Sequence, residues 1–355
     1  MTVLPLPLPF GDQVFWLLSL SIVLVVLCAA GMITTALVLR WRNNRTARQW
    51  AAREAIWDPV ILDVLEGARP PEDLTRLVRQ GHRRHFVTYL LRYVRTVRGG
   101  GREILRGLAR PHLPLVAAEC SHRQAERRAL AVQILGELGP REYREQIAGA
   151  LDDSAPLVTV IAAGAIARDY SPQDVRHLLE RVGQLELWTV RFLVSMLQRM
   201  GPQSAWAFRE VLDDPTRPNR VRAIAGHVLA QFNDLPSGDL AAGVLETSRD
   251  PDLQVAALRV LEHVGTAEHL GVVRALTRDP EPAVRGNAIR VLAAVGGDAE
   301  VPTIRAALDD ESHWVAIQAV GALKRLGRAD LLRALVETGH RWATAVHEVF
   351  LPGTA

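Results

Sequence analysis

Val273-Arg274-Ala275-Leu276 leads through Asp279-Pro280-Glu281-Pro282 to Val284-Arg285, Ala288, Leu292 and Gly296. Val284, Ala288 and Leu292 stand four residues apart, so they line one stripe of a helix, with alanine where a second helix comes closest. The Asp-Pro turn before them stops one helix and starts the next. The same second-helix anchor recurs as Leu135, Ile166, Leu197, Leu229, Leu261, Leu292 and Leu323, at gaps of 31, 31, 32, 32, 31 and 31 residues. Four places after these anchors come Gly139, Gly201, Gly265, Gly296 and Gly327, with Tyr170 and Asn233 in the other two repeats. Glycine and asparagine suit the left-handed conformation that ends a helix. A second register, Leu151, Val182, Leu212, Leu245, Leu276 and Leu308, marks the first helix of each unit. No sustained period-two alternation signals a strand. The period predicts an all-α fold, a right-handed α-solenoid of stacked helix pairs whose extended surface suits recognition better than chemistry.

In these residues the chain resembles the bacterial HEAT repeat, including its phycobilin-lyase-like variants, over about residues 108–327. The resemblance implies a binding fold more than an activity. It also implies a ladder between neighbouring repeats, made by an Asp of the inter-helix turn and an Arg six residues later. Asp279 and Arg285 keep that spacing, Arg222 lacks the Asp, and Gln254 and Ala316 replace the Arg, so the ladder is expected to be broken. The turns at Asp152-Asp153, Asp213-Asp214, Asp250, Asp279 and Asp309-Asp310 are expected to cap the helices that follow.

Gln13 to Leu39 is a run of 27 residues without a charge. About 20 apolar residues suffice to span a bilayer as a helix, so residues 13–39 are predicted to be a transmembrane helix. A cleaved signal peptide needs a basic leader, and residues 1–12 contain no Lys or Arg. Only Asp12 precedes the run, whereas Arg40, Arg42, Arg45, Arg48 and Arg53 follow it. The positive flank stays inside, which predicts a single pass in the inner (cytoplasmic) membrane, an extracytoplasmic segment 1–12 and a cytoplasmic repeat domain. Trp41 and Trp50 are expected at headgroup level. Arg40, Trp41, Arg42, Arg45 and Arg48 form the expected membrane interface, where the arginines enforce topology and offer anionic lipid a binding surface.

Residues 40–107 read as basic juxtamembrane helices and divergent capping repeats, 108–327 as the regular repeats, and 328–355 as a C-terminal cap and tail. Within 40–107, Asp58-Pro59 looks like the cap and first turn of a new helix, and Gly99-Gly100-Gly101 like a break. Residues 40–110 hold 16 Arg against 7 acidic residues, whereas 111–355 hold 26 basic and 31 acidic groups. Arg92, Arg95 and Arg102 are candidate contacts for an acidic partner, and His82 and His85 read as a surface pair. In the array, the second-helix row Gln133, Gly164, Ser195, His227, Arg259, Arg290 and Gly321 is mixed and forms no cationic track, so nucleic acid is disfavoured as a ligand.

The sequence holds no GxSxG motif, no phosphate-binding loop and no metal-ligand spacing, and it implies no cofactor. Iron-binding deoxyhypusine hydroxylases use several His-Glu pairs, and here only His347-Glu348 occurs. Cys28 and Cys120 offer no disulfide framework. Trp188, Trp206 and Trp314, large aromatics among small aliphatics, join Arg259 and Arg290 as candidate partner contacts. The reading is a non-enzymatic, membrane-anchored scaffold for a protein partner, such as an accessory subunit of a polysaccharide-synthesising glycosyltransferase. Its rivals are a HEAT-repeat lyase or hydroxylase, and nucleic-acid binding at the membrane through residues 40–110.

Overall fold

The computed structural model describes residues 11–168, 170–183, 185–339 and 341, and the described residues form helices without strands. Residues 1–10, Trp342, His347-Glu348, Phe350 and the other residues after 341 lie outside them. The chain divides into two compact units, Met1–Leu108 and Ala109–Ala355.

The first unit contains α1 (Gly11–Leu65), α2 (Pro71–Leu77), α3 (Arg83–Val94) and most of α4 (Gly100–Ala109). Helix α1 is continuous for 55 residues, so Asp58-Pro59 does not start a helix and Pro59 lies inside one. An interior proline costs about 3 kcal/mol. Trp57, Ile61 and Val64 flank it and are buried, and each such side chain stabilises by about 1.5–3 kcal/mol, so packing outweighs the local stop signal. Asp58 accepts hydrogen bonds from the Tyr89 and Tyr93 hydroxyls at 2.7 and 2.8 Å. Burial, then bonding to Tyr93 and Asp58, pushes the Tyr89 phenol well above its usual range.

Trp50 is not free for the headgroup region. Its indole stacks on His85 with centroids 3.8 Å apart and meets His82 edge-on. His85 lies 2.7 Å from a Glu54 carboxylate oxygen. The two histidines therefore pack on α1 and do not form the expected surface pair. The glycine triplet also differs from expectation: Gly99 alone makes the break at φ 61°, while Gly100 and Gly101 begin α4.

The second unit is a solenoid of seven helix pairs followed by a last helix. The pairs are α5 (Leu113–Ala117) with α6 (Ala125–Leu138), α7 (Arg144–Gly149) with α8 (Pro156–Ile166), and α9 (Pro172–Val182) with α10 (Val190–Leu197). Next come α11 (Ala205–Asp213) with α12 (Asn219–Phe232), and α13 (Ser237–Thr247) with α14 (Pro251–Val264). Then follow α15 (Leu270–Leu276) with α16 (Pro282–Val291), α17 (Val301–Ala306) with α18 (His313–Arg325), and finally α19 (Ala329–Glu337). All seven second-helix anchors and all six residues of the first-helix register are buried. The period thus sets which residue of each helix enters the core.

The turn aspartates act differently from expectation. Only Asp250 caps the next helix, accepting from the Leu253 N–H at 2.9 Å. Asp153, Asp214, Asp279 and Asp310 accept instead from the N–H two residues on, closing a tight turn before the helix starts. Asp153 and Asp310 also receive a guanidinium from the preceding repeat. Arg128 reaches both oxygens of Asp153 at 2.7 Å, and Arg285 both oxygens of Asp310 at 2.8 Å. Arg285 further donates to the carbonyls of Asp279 and Pro280, as Arg128 does to those of His122 and Arg123. The ladder therefore has two bidentate rungs, one of them in a repeat whose turn has no Asp six residues before the Arg. Gln254 keeps only the backbone half, donating to the Ser248 carbonyl at 3.1 Å.

Helix ends divide into three kinds, one of them Gly296 alone, which stays helical at φ −85° and leaves the positive φ to Gly297. Gly201, Gly327 and Asn233 take positive φ, as expected. Gly139 and Gly265 are extended, at φ −74° and −65°, and a side chain at either would collide with the carbonyl oxygen of Leu135 or Leu261.

Candidate functional site

The second helices of successive repeats lie side by side, so a residue one period further on occupies the next helix at the same height. Arg259 on α14 and Arg290 on α16 are so related, 31 residues apart. They line a groove of about 760 Å³ that crosses α10, α12, α14 and α16. Its single lining carboxylate is Glu262, one helical turn after Arg259 on α14. The Glu262 side chain is 7% exposed, and its two oxygens receive Arg290 at 2.6 Å and Arg325 of α18 at 3.0 Å. Arg325 thus bridges two repeats, beyond any role at the end of its own helix.

Arg259 makes no hydrogen bond or ion pair among the described residues. Its surroundings desolvate it and Arg290 repels it, which holds its pKa below the ordinary guanidinium value despite Glu262 nearby. His227 lies across the groove on α12, with its ring Nδ1 buried and without a hydrogen-bond partner. Burial, helped by the Arg259 charge, lowers the His227 pKa to about 4, so the ring is neutral at pH 7. Arg191 adds a further exposed guanidinium at the α10 end. Half-buried Val190, Val194 and Val255 supply an apolar component to the lining. The array as a whole is mildly acidic, yet this groove is locally cationic and short of anions.

In a comparison with protein families, residues 239–324 and 272–344 match HEAT repeats. No curated protein matches the sequence. Solved structures similar to the chain include human deoxyhypusine hydroxylase in complex with glycerol, at 16% identity and TM-score 0.33, covering 78% of this chain and 98% of that one. A designed armadillo repeat protein covers 60% of this chain and 99% of its own at 15% identity and TM-score 0.30. Kap121p covers 78% and 40% at 14% identity and TM-score 0.31. Likeness at this level assigns no activity. Among the described residues, no group of three or more His, Cys, Asp or Glu side chains is placed to hold a metal ion.

The three tryptophans singled out in the sequence all pack on the array. Trp188 stacks on Phe192 with centroids 4.9 Å apart, and its carbonyl accepts from Arg220 at 2.6 Å. Trp206 lies under the Arg176 guanidinium, 5.0 Å from the ring centroid. Trp314, on the last HEAT-repeat pair, is 39% exposed and covers Gly286 of the repeat before it. A Cβ on Gly286 would meet three atoms of that ring, two of them at 2.7 and 2.8 Å. Gly286→Ala is therefore expected to displace the indole and to cost about 1–3 kcal/mol, the range for overpacking. A red-shifted Trp314 emission, isolated by comparison with Trp314→Phe, together with a lower urea midpoint would verify it. An unmoved spectrum would mean that the ring does not rest on Gly286.

In the first unit, Arg40, Trp41, Arg42, Arg45 and Arg48 are exposed on α1, and the Arg45 guanidinium lies 5.4 Å from the Trp41 ring centroid. Arg92 is engaged within the unit, pairing with Glu54 at 2.7 Å and lying over Tyr89. Arg95 is exposed and Arg102 half-buried. Within the second unit the structure therefore brings Arg259 and Arg290 together in one groove, whose lining includes none of the three tryptophans. Glu262 and Arg325 complete the cluster, and neither stood out as a site residue in the sequence. Arg325 lies on another helical row, and Glu262 falls between rows. The available signal was the 31-residue repeat of Arg259 and Arg290 combined with the i, i+3 spacing of Arg259 and Glu262.

Proposed function

We propose that this chain is a membrane-anchored scaffold whose HEAT-repeat array holds a protein partner at the cytoplasmic face of the inner membrane, as an accessory subunit of a membrane enzyme complex. The observation that carries the membrane part is the exposure of α1. Its most apolar 18-residue window has a mean hydropathy of 2.7 and no buried share. Trp16, Leu20, Leu24, Leu27, Met32 and Leu37 are each 59–72% exposed. A helix that is apolar all round has the surface that a lipid environment favours. The arginines from Arg40 onward favour an orientation with the array inside. For the scaffold part, the regular core, the groove on the second helices and the lack of any nucleophile or metal constellation in the sequence all favour binding over catalysis. A polysaccharide-synthesising glycosyltransferase is one such complex.

Fusions after Ala355 provide the first test. A fluorescent protein should be active there and a periplasmic phosphatase silent, and the reverse pattern would overturn the assigned orientation. A second test exchanges residues 13–39 for an unrelated span of the same orientation. The exchange should stop there, because Trp50, Arg53 and Glu54 of the same helix pack within the first unit. Proteins crosslinked to the array in native membranes should then be unchanged, since the span only raises local concentration. Their loss from a folded, membrane-bound variant would mean that the span itself recognises the partner.

A further inference from the structure

We propose that the groove across α10, α12, α14 and α16 is the docking site for an acidic peptide segment of the partner, whose carboxylates are received by Arg259, Arg290 and Arg325. This deepens the scaffold reading and rests on it.

Four guanidiniums, counting Arg191, face one carboxylate. Both oxygens of Glu262 are already occupied, by Arg290 and Arg325, so nothing internal remains to answer Arg259. A guanidinium in a concave, partly desolvated site with no anion of its own is a standing receptor for carboxylate, which it can bind with two parallel hydrogen bonds. His227 presents a buried, unpartnered Nδ1 to the same groove, a further hydrogen-bonding group.

The rest of the lining selects a peptide among polyanions. A nucleic-acid strand is held by a basic track along its backbone and by aromatic faces under its bases. Here two of the guanidiniums meet on one carboxylate, no aromatic residue other than His227 and His263 lines the groove, and half-buried valines line it from α10 and α14. Aliphatic side chains interleaved with carboxylates match that pattern. A volume of about 760 Å³ accommodates a few residues of such a segment.

The test uses the full chain in nanodiscs and a short fluorescent peptide in which Asp and Glu alternate with Leu. The native protein should bind it, with affinity falling as salt rises. Arg259→Glu should weaken binding by at least about tenfold, since it removes an attraction and adds a repulsion. This variant disturbs no internal pair, so its helical content and melting should match the native chain. Glu262→Gln should tighten binding by about three- to tenfold, because it frees Arg290 and Arg325 from an internal carboxylate. A purely structural role for Glu262 predicts no gain. Unchanged binding by Arg259→Glu, no gain from Glu262→Gln, or no binding by the native chain would overturn the proposal. So would a short single-stranded DNA that competes as strongly as the peptide, since that would make the groove a general polyanion site. None of these outcomes bears on the anchor exchange, which tests the scaffold reading independently of the groove.

Discussion

Leu261→Ala is expected to destabilise the repeat unit by about 2–5 kcal/mol, the range for a buried leucine whose site collapses only in part. Leu261 has no exposed area, and Leu253, Ala257 and Leu292 around the same register are likewise fully buried. Alanine at the neighbouring stripe positions lets the second helices approach closely, so few side chains are long enough to refill the space. In a repeat array each pair is supported by its neighbours, and the loss should be greatest in α12, α14 and α16. Urea unfolding followed by circular dichroism gives the size of the effect, and amide exchange gives its location. Arg259→Ala, two residues away on the exposed face, should cost less than about 0.5 kcal/mol. Equal costs for the two substitutions would mean that the helix is rotated from the orientation described here.

Arg285→Ala is the second large effect, expected at about 3–5 kcal/mol. Its side chain is 8% exposed and grips the Asp310 carboxylate at 13% exposure, so removing it strands a buried charge and two backbone carbonyls. Replacing both members of the pair, as Arg285→Met with Asp310→Leu, should recover most of that loss, because no unpaired charge remains. If the double variant is no better than the single, the cost lies in packing and not in the rung. The acid limb supplies an independent reading. Arg285 above all holds the Asp310 carboxyl below the ordinary carboxylate value, as Arg128 does for Asp153. A carboxyl with a depressed folded pKa stabilises the protein above its unfolded pKa of 3.8, and that stabilisation disappears as pH falls through the folded value. Arg285→Ala should therefore flatten the dependence of stability on pH below about 4, as Asp310 returns towards its unfolded behaviour.

The repeat was legible because stacking identical helix pairs forces one buried residue per period. Leu135 through Leu323 display that period without regard to what else each helix carries. The uncharged run 13–39 was legible as part of a long apolar helix, and it lies within α1. Side-chain roles decided by distant partners were not legible. Asp58-Pro59 carries every local mark of a helix start, yet Tyr89, Tyr93 and the buried face around Trp57 hold the helix through it. The turn aspartates look like caps, yet two of them answer arginines 25 residues earlier. The anion-poor groove is the clearest case. Net charge describes the array as acidic, and no short window of sequence contains Arg259, Arg290, Arg325 and Glu262 together. Electrostatic energy falls with distance in space, and only the stacking of α14, α16 and α18 turns separations of 28 and 63 residues into contacts of about 3 Å on one carboxylate.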